Sequence, residues 1–353
     1  MISHGLFVGI TFVVVSYLVG SIPFGYIIGM FHGVDVRKHG SRNLGATNVF
    51  SLLGPASGLM TFVLDFAKGF FPTSLAFGYS HPLAYAVGCA AIIGHCCSIH
   101  LSVIEKKVVG GKAVTTMLGV AAVFIPPLTL FIALTVWGFV LVMTHYVSLA
   151  SMGAVVAAAL VDGFIDPHLG NKIFLVAAVF LIVYKHRENV VRLLSGTERK
   201  MGDTPKTDGG CAAFIIHPQQ WETLTRSFMG KILYKLWCDG NLTSSELFWI
   251  GVWFGPILVD DYIVPLDGGK APIRTLIIST LFLPEYYKNP RYQPYIEKVL
   301  IKAARMAQRL GSTTLGLGAY NSTFGEKGKW LQDYCDAKNI DMVVTNGGNY
   351  TGQ

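Results

Sequence analysis

Apolar residues gather into long runs over the first two hundred positions and then thin out, so the chain reads as two segments of different kind. Residues 6–30 are apolar over more than the roughly twenty positions that cross a bilayer, and they predict a first membrane helix through Tyr17, Gly20 and Pro23. Residues 52–77 and 83–103 predict the second and third helices. Residues 113–124 and 128–144 predict the fourth and fifth, divided by Pro126-Pro127, where a helix cannot continue. Residues 148–161 and 173–184 predict the sixth and seventh.

Seven crossings place the polar stretches 31–51, 104–112 and 185–200 on one face, and these hold most of the basic residues of the first segment. The opposite loops, 80–82, 126–127 and 162–171, are nearly free of Lys and Arg. The excess of positive charge makes the first face cytoplasmic and puts the amino terminus outside. The first run lacks a basic leading region, so no cleavable signal peptide is expected.

Beyond residue 200 the pattern changes. Residues 201–210 form a polar, glycine-containing linker, and 211–353 contain no clean span. Residues 223–237 are amphipathic. The run 247–258 is apolar but short and interrupted by Gly and Pro, and 275–282 read as a buried strand. Residues 294–310 predict a helix with Ile296, Val299, Leu300, Ala303 and Met306 inside and Glu297, Lys298, Lys302 and Arg305 outside. Residues 315–319 and 340–344 suggest strands. The expected fold is an all-α polytopic membrane domain of seven transmembrane helices (1–200), a linker (201–210) and a small soluble α/β domain (211–353).

Composition agrees with a membrane chain: of 353 residues 52% are hydrophobic and only 14% charged, against about a quarter charged in soluble domains. The net charge of +7 sits in short loops between apolar runs, which argues against nucleic acid as a partner. The six cysteines form no C-x-x-C pair and no metal-ligand spacing. Reduced, mostly buried thiols and no metal are therefore expected.

Four groups of residues carry candidate chemistry. In the 39–48 stretch, Ser41, Asn43, Thr47 and Asn48 supply hydroxyls and amides, Gly40 and Gly45 free the backbone, and Arg37, Lys38 and Arg42 add positive charge. Donors and cations together suit a phosphate, whose oxygens are anionic acceptors; the plain alternative is a basic membrane-exit loop. Gly110-Gly111-Lys112 precedes an apolar run and is similar to a phosphate cradle at a helix N-terminus, though without Walker spacing. Gly268-Gly269-Lys270 repeats the tripeptide in what reads as a hairpin turn. Asp65 and Lys68 share one face of the second span, as a polar site or as a self-neutralised pair. The fourth group is Lys185-His186-Arg187-Glu188-Asn189, with Arg192, Glu198, Arg199 and Lys200 beyond. A lone His95 is most simply structural.

The ordered set 20–25 (GSIPFG), 38–48 (KHGSRNLGATN), Gly110-Gly111-Lys112, and 186–189 (HREN) through Gly196-Thr197-Glu198 resembles the bacterial acyl-phosphate:glycerol-3-phosphate acyltransferases of the PlsY type over about residues 1–200. The resemblance implies seven membrane helices in a bacterial inner membrane and a cytoplasmic-face site. There a fatty acyl group passes from acyl phosphate to the first hydroxyl of glycerol 3-phosphate, giving lysophosphatidic acid without a cofactor. It further implies catalytic roles for Ser41, His186 and Asn189, and substrate binding by Lys38, Asn43, Thr47, Asn48, Gly110, Gly111 and Lys112. Asp65, Lys68 and Glu188 would support them. The sequence departs from the family pattern at Ser51 and His145, where arginine is frequent, and at Ala113, where glycine is. Losing two guanidiniums weakens the case for tight phosphate binding.

Residues 211–353 resemble the front part of long-chain acyl-carrier-protein reductases, in a truncated form. The match rests on Phe282-Leu283-Pro284-Glu285, on Ala303, Ala304, Ala307 and Gln308, on Leu317 to Ser322 and on Thr345 to Gly352. That resemblance implies an acyl chain or acyl carrier protein as partner; an acyl-phosphate synthase is the partner expected from the acyl-phosphate substrate. No G-x-G-x-x-G lies between a strand and a helix, so no nicotinamide is expected. The rival from another class is a non-enzymatic transporter or scaffold whose loops bind phosphate or lipid headgroups. The absence of an inverted repeat counts against a transporter.

Overall fold

The structure, a computed structural model, describes residues 2–201, 203, 210–216, 227–264, 273–318 and 328–346. The chain forms two compact units: Met1–Gly25, Asn43–Ser51 and Pro55–Asp203 in the first, and Tyr26–Arg42, Leu52–Gly54 and Thr204–Gln353 in the second.

The first unit is helical throughout. It comprises α1 (Ile2–Gly20), the start of α2 (Phe24–Phe31), most of α3 (Ala46–Leu53), α4 (Pro55–Phe77), α5 (His81–Cys96), α6 (Ile99–Glu105), α7 (Val114–Phe124), α8 (Pro127–Thr144), α9 (Val147–Ile165), α10 (Leu169–Lys185) and α11 (Arg187–Leu194). Every run expected to span has its helix. Among the described residues four stretches are long and apolar enough to cross a membrane, Gly5–Phe31, His81–Glu105, Pro127–Thr144 and Val147–Ile165, and α10 with α11, bent by 60°, makes a fifth if the pair is one broken span. Of the remaining two, α4 is 23 residues long but carries the Asp65–Lys68 pair, and α7 has only 11 residues, about half of what a span needs. Pro126-Pro127 stops α7 early.

Large apolar side chains cover the outside of this unit: Phe131 is 67%, Phe180 72% and Phe164 90% exposed. A surface of that kind fits lipid, not water. Close helix contacts use small residues instead, as where a Cβ on Gly20 would strike the backbone of Ala91 and one on Gly94 the carbonyl of Tyr17. Substituting either forces α1 and α5 apart.

Pro23 breaks the first long run between α1 and α2, freeing carbonyls that bilayer depth leaves without water. Ser98 Oγ donates to the Ser21 carbonyl at 2.5 Å and Lys68 Nζ to the Ile22 carbonyl at 2.8 Å. The break is thereby satisfied by side chains from α4 and the α5–α6 turn.

In the second unit a five-stranded sheet has the order β2-β3-β1-β4-β5, with β1 Cys211–Ile216, β2 Ile257–Val264, β3 Ile273–Ser279, β4 Thr314–Leu317 and β5 Val343–Asn346. β1 runs parallel to β3 and β4, β4 parallel to β5, and β2 antiparallel on the edge. α12 (Phe228–Cys238), α13 (Ser244–Phe254), the short α14 (Pro284–Tyr287), α15 (Gln293–Arg309) and α16 (Lys329–Ala337) are its helices. The helix expected over 294–310 is α15, and its Ile296, Val299, Leu300, Ala303 and Met306 are buried. The apolar run 247–258 divides at Gly255-Pro256 into the end of α13 and the start of β2. The linker between 204 and 209, the 268–270 turn, positions 223–226, and the 319–322 and 347–352 parts of the reductase resemblance lie outside the described residues. All six cysteines are free: Cys96, Cys211 and Cys335 are buried, Cys97 is half-buried, and Cys89 and Cys238 are exposed.

Candidate functional site

Among the described residues of the first unit, two polar clusters contain the sequence candidates. The first is built where α10 bends into α11. His186 stands at the bend, and its Nδ1–H donates to the Ile182 carbonyl at 2.8 Å, which leaves Nε2 with a free lone pair. α11 ends in a Schellman turn: Gly196 adopts φ +69°, Gly196 N–H donates to the Leu193 carbonyl and Thr197 N–H to the Arg192 carbonyl. That reversal brings Glu198 back along α11.

Glu198 then organises the cluster. Its Oε1 accepts from Asn189 Nδ2 at 2.6 Å and from Ser148 Oγ at 2.7 Å, and its Oε2 from Arg192 Nε at 2.8 Å. Burial raises the Glu198 carboxyl, but the bonds from Asn189, Ser148 and Arg192 outweigh it and hold the group below its usual range. With its NH₂ committed to Glu198, Asn189 turns its oxygen to Lys112, whose Nζ donates to Oδ1. Burial, then Arg192, lower the Lys112 ammonium to about 8, against Glu198 and Glu188, which raise it. Lys112 makes no ion pair among the described residues, and its bonded partner is a neutral amide. It also precedes the N-terminus of α7, where the helix dipole disfavours a cation and favours an anion. Lys112 is therefore a cation with no carboxylate bonded to it among the described residues.

The second cluster lines a recess of about 210 Å³, counting its open mouth, walled by Ser21, Phe24, Leu44, Lys68, His95 and Gly111. Lys68 Nζ lies 2.7 Å from Asp65 Oδ1 with both side chains 2% exposed. His95 Nδ1 is 3.1 Å from Thr116 Oγ1. Here the charge is cancelled within the protein. Asp65 and Lys68 brace the α1–α2 break.

Gly110 and Gly111 join the clusters. A side chain on Gly110 would strike the Cys96 carbonyl, and one on Gly111 the His95 ring. Gly111 N–H donates to the His95 carbonyl at 2.9 Å and Ser98 N–H to the Val109 carbonyl at 2.8 Å, while Lys185 Nζ reaches the Cys96 carbonyl at 3.3 Å. The two glycines are thus required for packing the loop on the α5–α6 turn, and this fixes where Lys112 emerges. Ala113 occupies the left-handed region at φ +60°, which costs a residue with a Cβ about 1–2 kcal/mol. Ala113→Gly is expected to stabilise the first unit by roughly 1 kcal/mol, read as a higher thermal midpoint in detergent; an unchanged or lower midpoint would contradict the strain.

The remaining sequence candidates fall apart into two groups. Asn48 is buried and its Nδ2 donates to the Asn43 carbonyl at 2.9 Å, closing the 43–48 loop, while Thr47 is exposed. Lys38 and Ser41, both exposed, belong to the segment Tyr26–Arg42 of the second unit. Glu188 is exposed in the first turn of α11. Sequence reasoning gave no role to Ser148 and kept Glu198 only as a motif letter. The Gly196 C-cap signal next to a carboxylate was the clue to Glu198; nothing local marked Ser148.

A sequence profile of the family described as glycerol-3-phosphate acyltransferase matches residues 10–196. The glycerol-3-phosphate acyltransferase of Endomicrobium trichonymphae is 39% identical over 201 residues, 56% of this chain and 97% of that protein. The protein of that name from Aquifex aeolicus is 40% identical over 192 residues, 53% of this chain and 96% of its own. The crystal structure of PlsY, an integral membrane glycerol 3-phosphate acyltransferase, in its glycerol 3-phosphate form, superposes with a TM-score of 0.51 at 37% identity, over 55% of this chain and 96% of that one.

Proposed function

The chain belongs to the glycerol-3-phosphate acyltransferase family, and from that premise we propose that it moves a fatty acyl group from acyl phosphate to the sn-1 hydroxyl of glycerol 3-phosphate. The product is lysophosphatidic acid, for phospholipid synthesis. The observation that carries the reading is Lys112, a part-buried ammonium held by an amide and left without a carboxylate. A phosphate supplies the missing charge.

Acyl phosphate is a mixed anhydride, so no covalent nucleophile on the protein is needed. The hydroxyl oxygen of glycerol 3-phosphate attacks the acyl carbon, the bond from that carbon to the phosphate oxygen breaks, and inorganic phosphate leaves. Lys112 neutralises phosphate charge, Asn189 fixes its direction, and Glu198 fixes Asn189. His186 offers Nε2 to the attacking hydroxyl and orients it. The departing phosphate is itself basic enough to take the hydroxyl proton, and the proton goes there. Ser41, Lys38, Asn43, Thr47 and Asn48 complete the substrate contacts by the family resemblance. Acyl carrier protein and an acyl-phosphate synthase are the proposed partners on the donor side.

The pH profile tests this reading. An ammonium titrating at about 8 is charged below that pH and neutral above it. The value of kcat/KM for glycerol 3-phosphate should therefore be sustained to about pH 8 and then fall close to tenfold per unit. A profile flat to pH 10 would remove Lys112 from the phosphate site.

The membrane placement follows from the same polar loops. Counting α4 and the short α7 as crossings beside the five apolar stretches gives the proposed seven passes through a bacterial inner membrane, with the site and the α/β domain in the cytoplasm. Single cysteines placed at His168 and Lys107, whose side chains are 69% and 72% exposed, separate the two faces. A membrane-impermeant thiol reagent added outside intact cells should label the first and not the second. The reverse pattern overturns the orientation.

A further inference from the structure

Residues 26–42 lie within the stretch that the family profile matches, yet they pack as part of the α/β unit. The rest of that unit, residues 204–353, lies beyond the family match, and 97% of the Endomicrobium relative is spanned by a match of 201 residues, 56% of this chain. Its hold on the loop is specific. Leu258 N–H of β2 donates to the His32 carbonyl at 2.9 Å, and a side chain on Gly33 would strike the Leu258 carbonyl. Val34 and Val36 are fully buried.

The polar part of the hold centres on Arg274 of β3. Its Nε and Nη2 donate to the two carboxylate oxygens of Asp261 on β2 at 2.9 and 2.7 Å, and its Nη1 donates to the Leu310 carbonyl at 2.9 Å. Nη2 also meets His39 Nδ1 at 3.1 Å. A guanidinium only donates, so His39 Nδ1 must be the acceptor. The ring then carries its proton on Nε2, which faces Asp261 Oδ2 at 3.5 Å. One bidentate ion pair thus reads both nitrogens of a histidine that is followed, two and three positions on, by Ser41 and Arg42, and preceded by Lys38.

We propose that the Arg274–Asp261 pair is a positioning element for the 32–42 loop, through which the added α/β unit sets how well the acyltransferase takes glycerol 3-phosphate. The proposal rests on the reading of Lys38 and Ser41 as substrate-site residues. It assigns the extra unit a role in the existing reaction, not a second chemistry.

The test uses the full chain in proteoliposomes, with Arg274→Ala, Arg274→Lys and His39→Leu. Hydrogen–deuterium exchange of the 32–42 peptide reads the hold, and steady-state kinetics read its consequence. Arg274→Ala and His39→Leu should speed exchange of 32–42 and raise KM for glycerol 3-phosphate roughly tenfold, with KM for acyl phosphate unmoved; Arg274→Lys should recover part of the loss. His39→Leu keeps the sheet's own ion pair, so it decides the matter should Arg274→Ala unfold the α/β unit. Unchanged exchange in both variants overturns the proposal, and so does faster exchange with wild-type KM and kcat. A wild-type chain that turns over no substrate sinks the acyl-transfer reading instead. In that event exchange still decides: glycerol 3-phosphate must slow exchange of 32–42 in the wild type and not in His39→Leu, and equal slowing in both would overturn the positioning role.

Discussion

Lys112→Ala is expected to lower kcat/KM for glycerol 3-phosphate ten- to hundredfold while leaving the fold intact. A charge-assisted bond to phosphate contributes about 1.5–3 kcal/mol, which converts to that range. The lysine is part-buried and its bonded partner is the Asn189 amide, so truncation removes charge without orphaning a carboxylate. Lys106 and Lys107, six and five positions earlier and both exposed, serve as internal controls. Their alanine variants should stay within about twofold of wild type, as orientation signals would. Equal small effects at all three lysines would make the loop a topological anchor and move the phosphate site elsewhere. Asn189→Ala should follow Lys112→Ala in direction, because Asn189 passes the anchoring of Glu198 on to the ammonium.

The largest stability effect is expected at the other lysine. Lys68→Met leaves the Asp65 carboxylate buried without its ion-pair partner and the Ile22 carbonyl without its donor. Removing one partner of a buried pair costs about 3–5 kcal/mol, whereas replacing both by neutral groups of similar volume is often nearly neutral. The double variant Asp65→Asn with Lys68→Met should therefore recover most of the loss. Thermal unfolding in detergent measures both. A single variant that unfolds with the wild-type protein would show that the pair does not brace the α1–α2 break.

The sequence and the structure agree most closely where a residue pattern maps onto one physical requirement. The helical period of 294–310 became α15 because apolar residues at that spacing have one buried face to fill. The apolar runs became α1, α2 and α4 to α10 for a different reason: a continuous apolar segment in lipid must satisfy its backbone internally, which a helix does. Boundaries set by backbone chemistry were harder to read. Pro23 split the run expected as one helix into α1 and α2, whereas Pro72 is carried inside α4, so a proline alone does not fix where a membrane helix ends; Pro126-Pro127 end α7 where the sequence placed the break.

In the site, Lys112, His186 and Asn189 were legible as polar residues beside small ones at the end of an apolar run. Their meeting was legible only through the family resemblance. Gly110 and Gly111 looked like a phosphate cradle, yet they are needed for contact with the Cys96 carbonyl and the His95 ring. Ser148 was hidden because a serine opening a helix is common, and its value comes from Glu198, fifty positions away. The grouping of 26–42 with the α/β unit left no mark in the sequence at all, since the His39–Arg274 contact spans 235 positions.

The most direct test of acyl transfer from acyl phosphate is to incubate the purified chain with acyl phosphate and either glycerol 3-phosphate or glycerol, and to look for the acylated product. The account predicts lysophosphatidate with release of inorganic phosphate, no comparable acylation of glycerol, and loss of most of the product with Lys112→Ala. Binding of glycerol 3-phosphate with no lysophosphatidate formed would contradict it and leave a phosphate-binding membrane protein in its place.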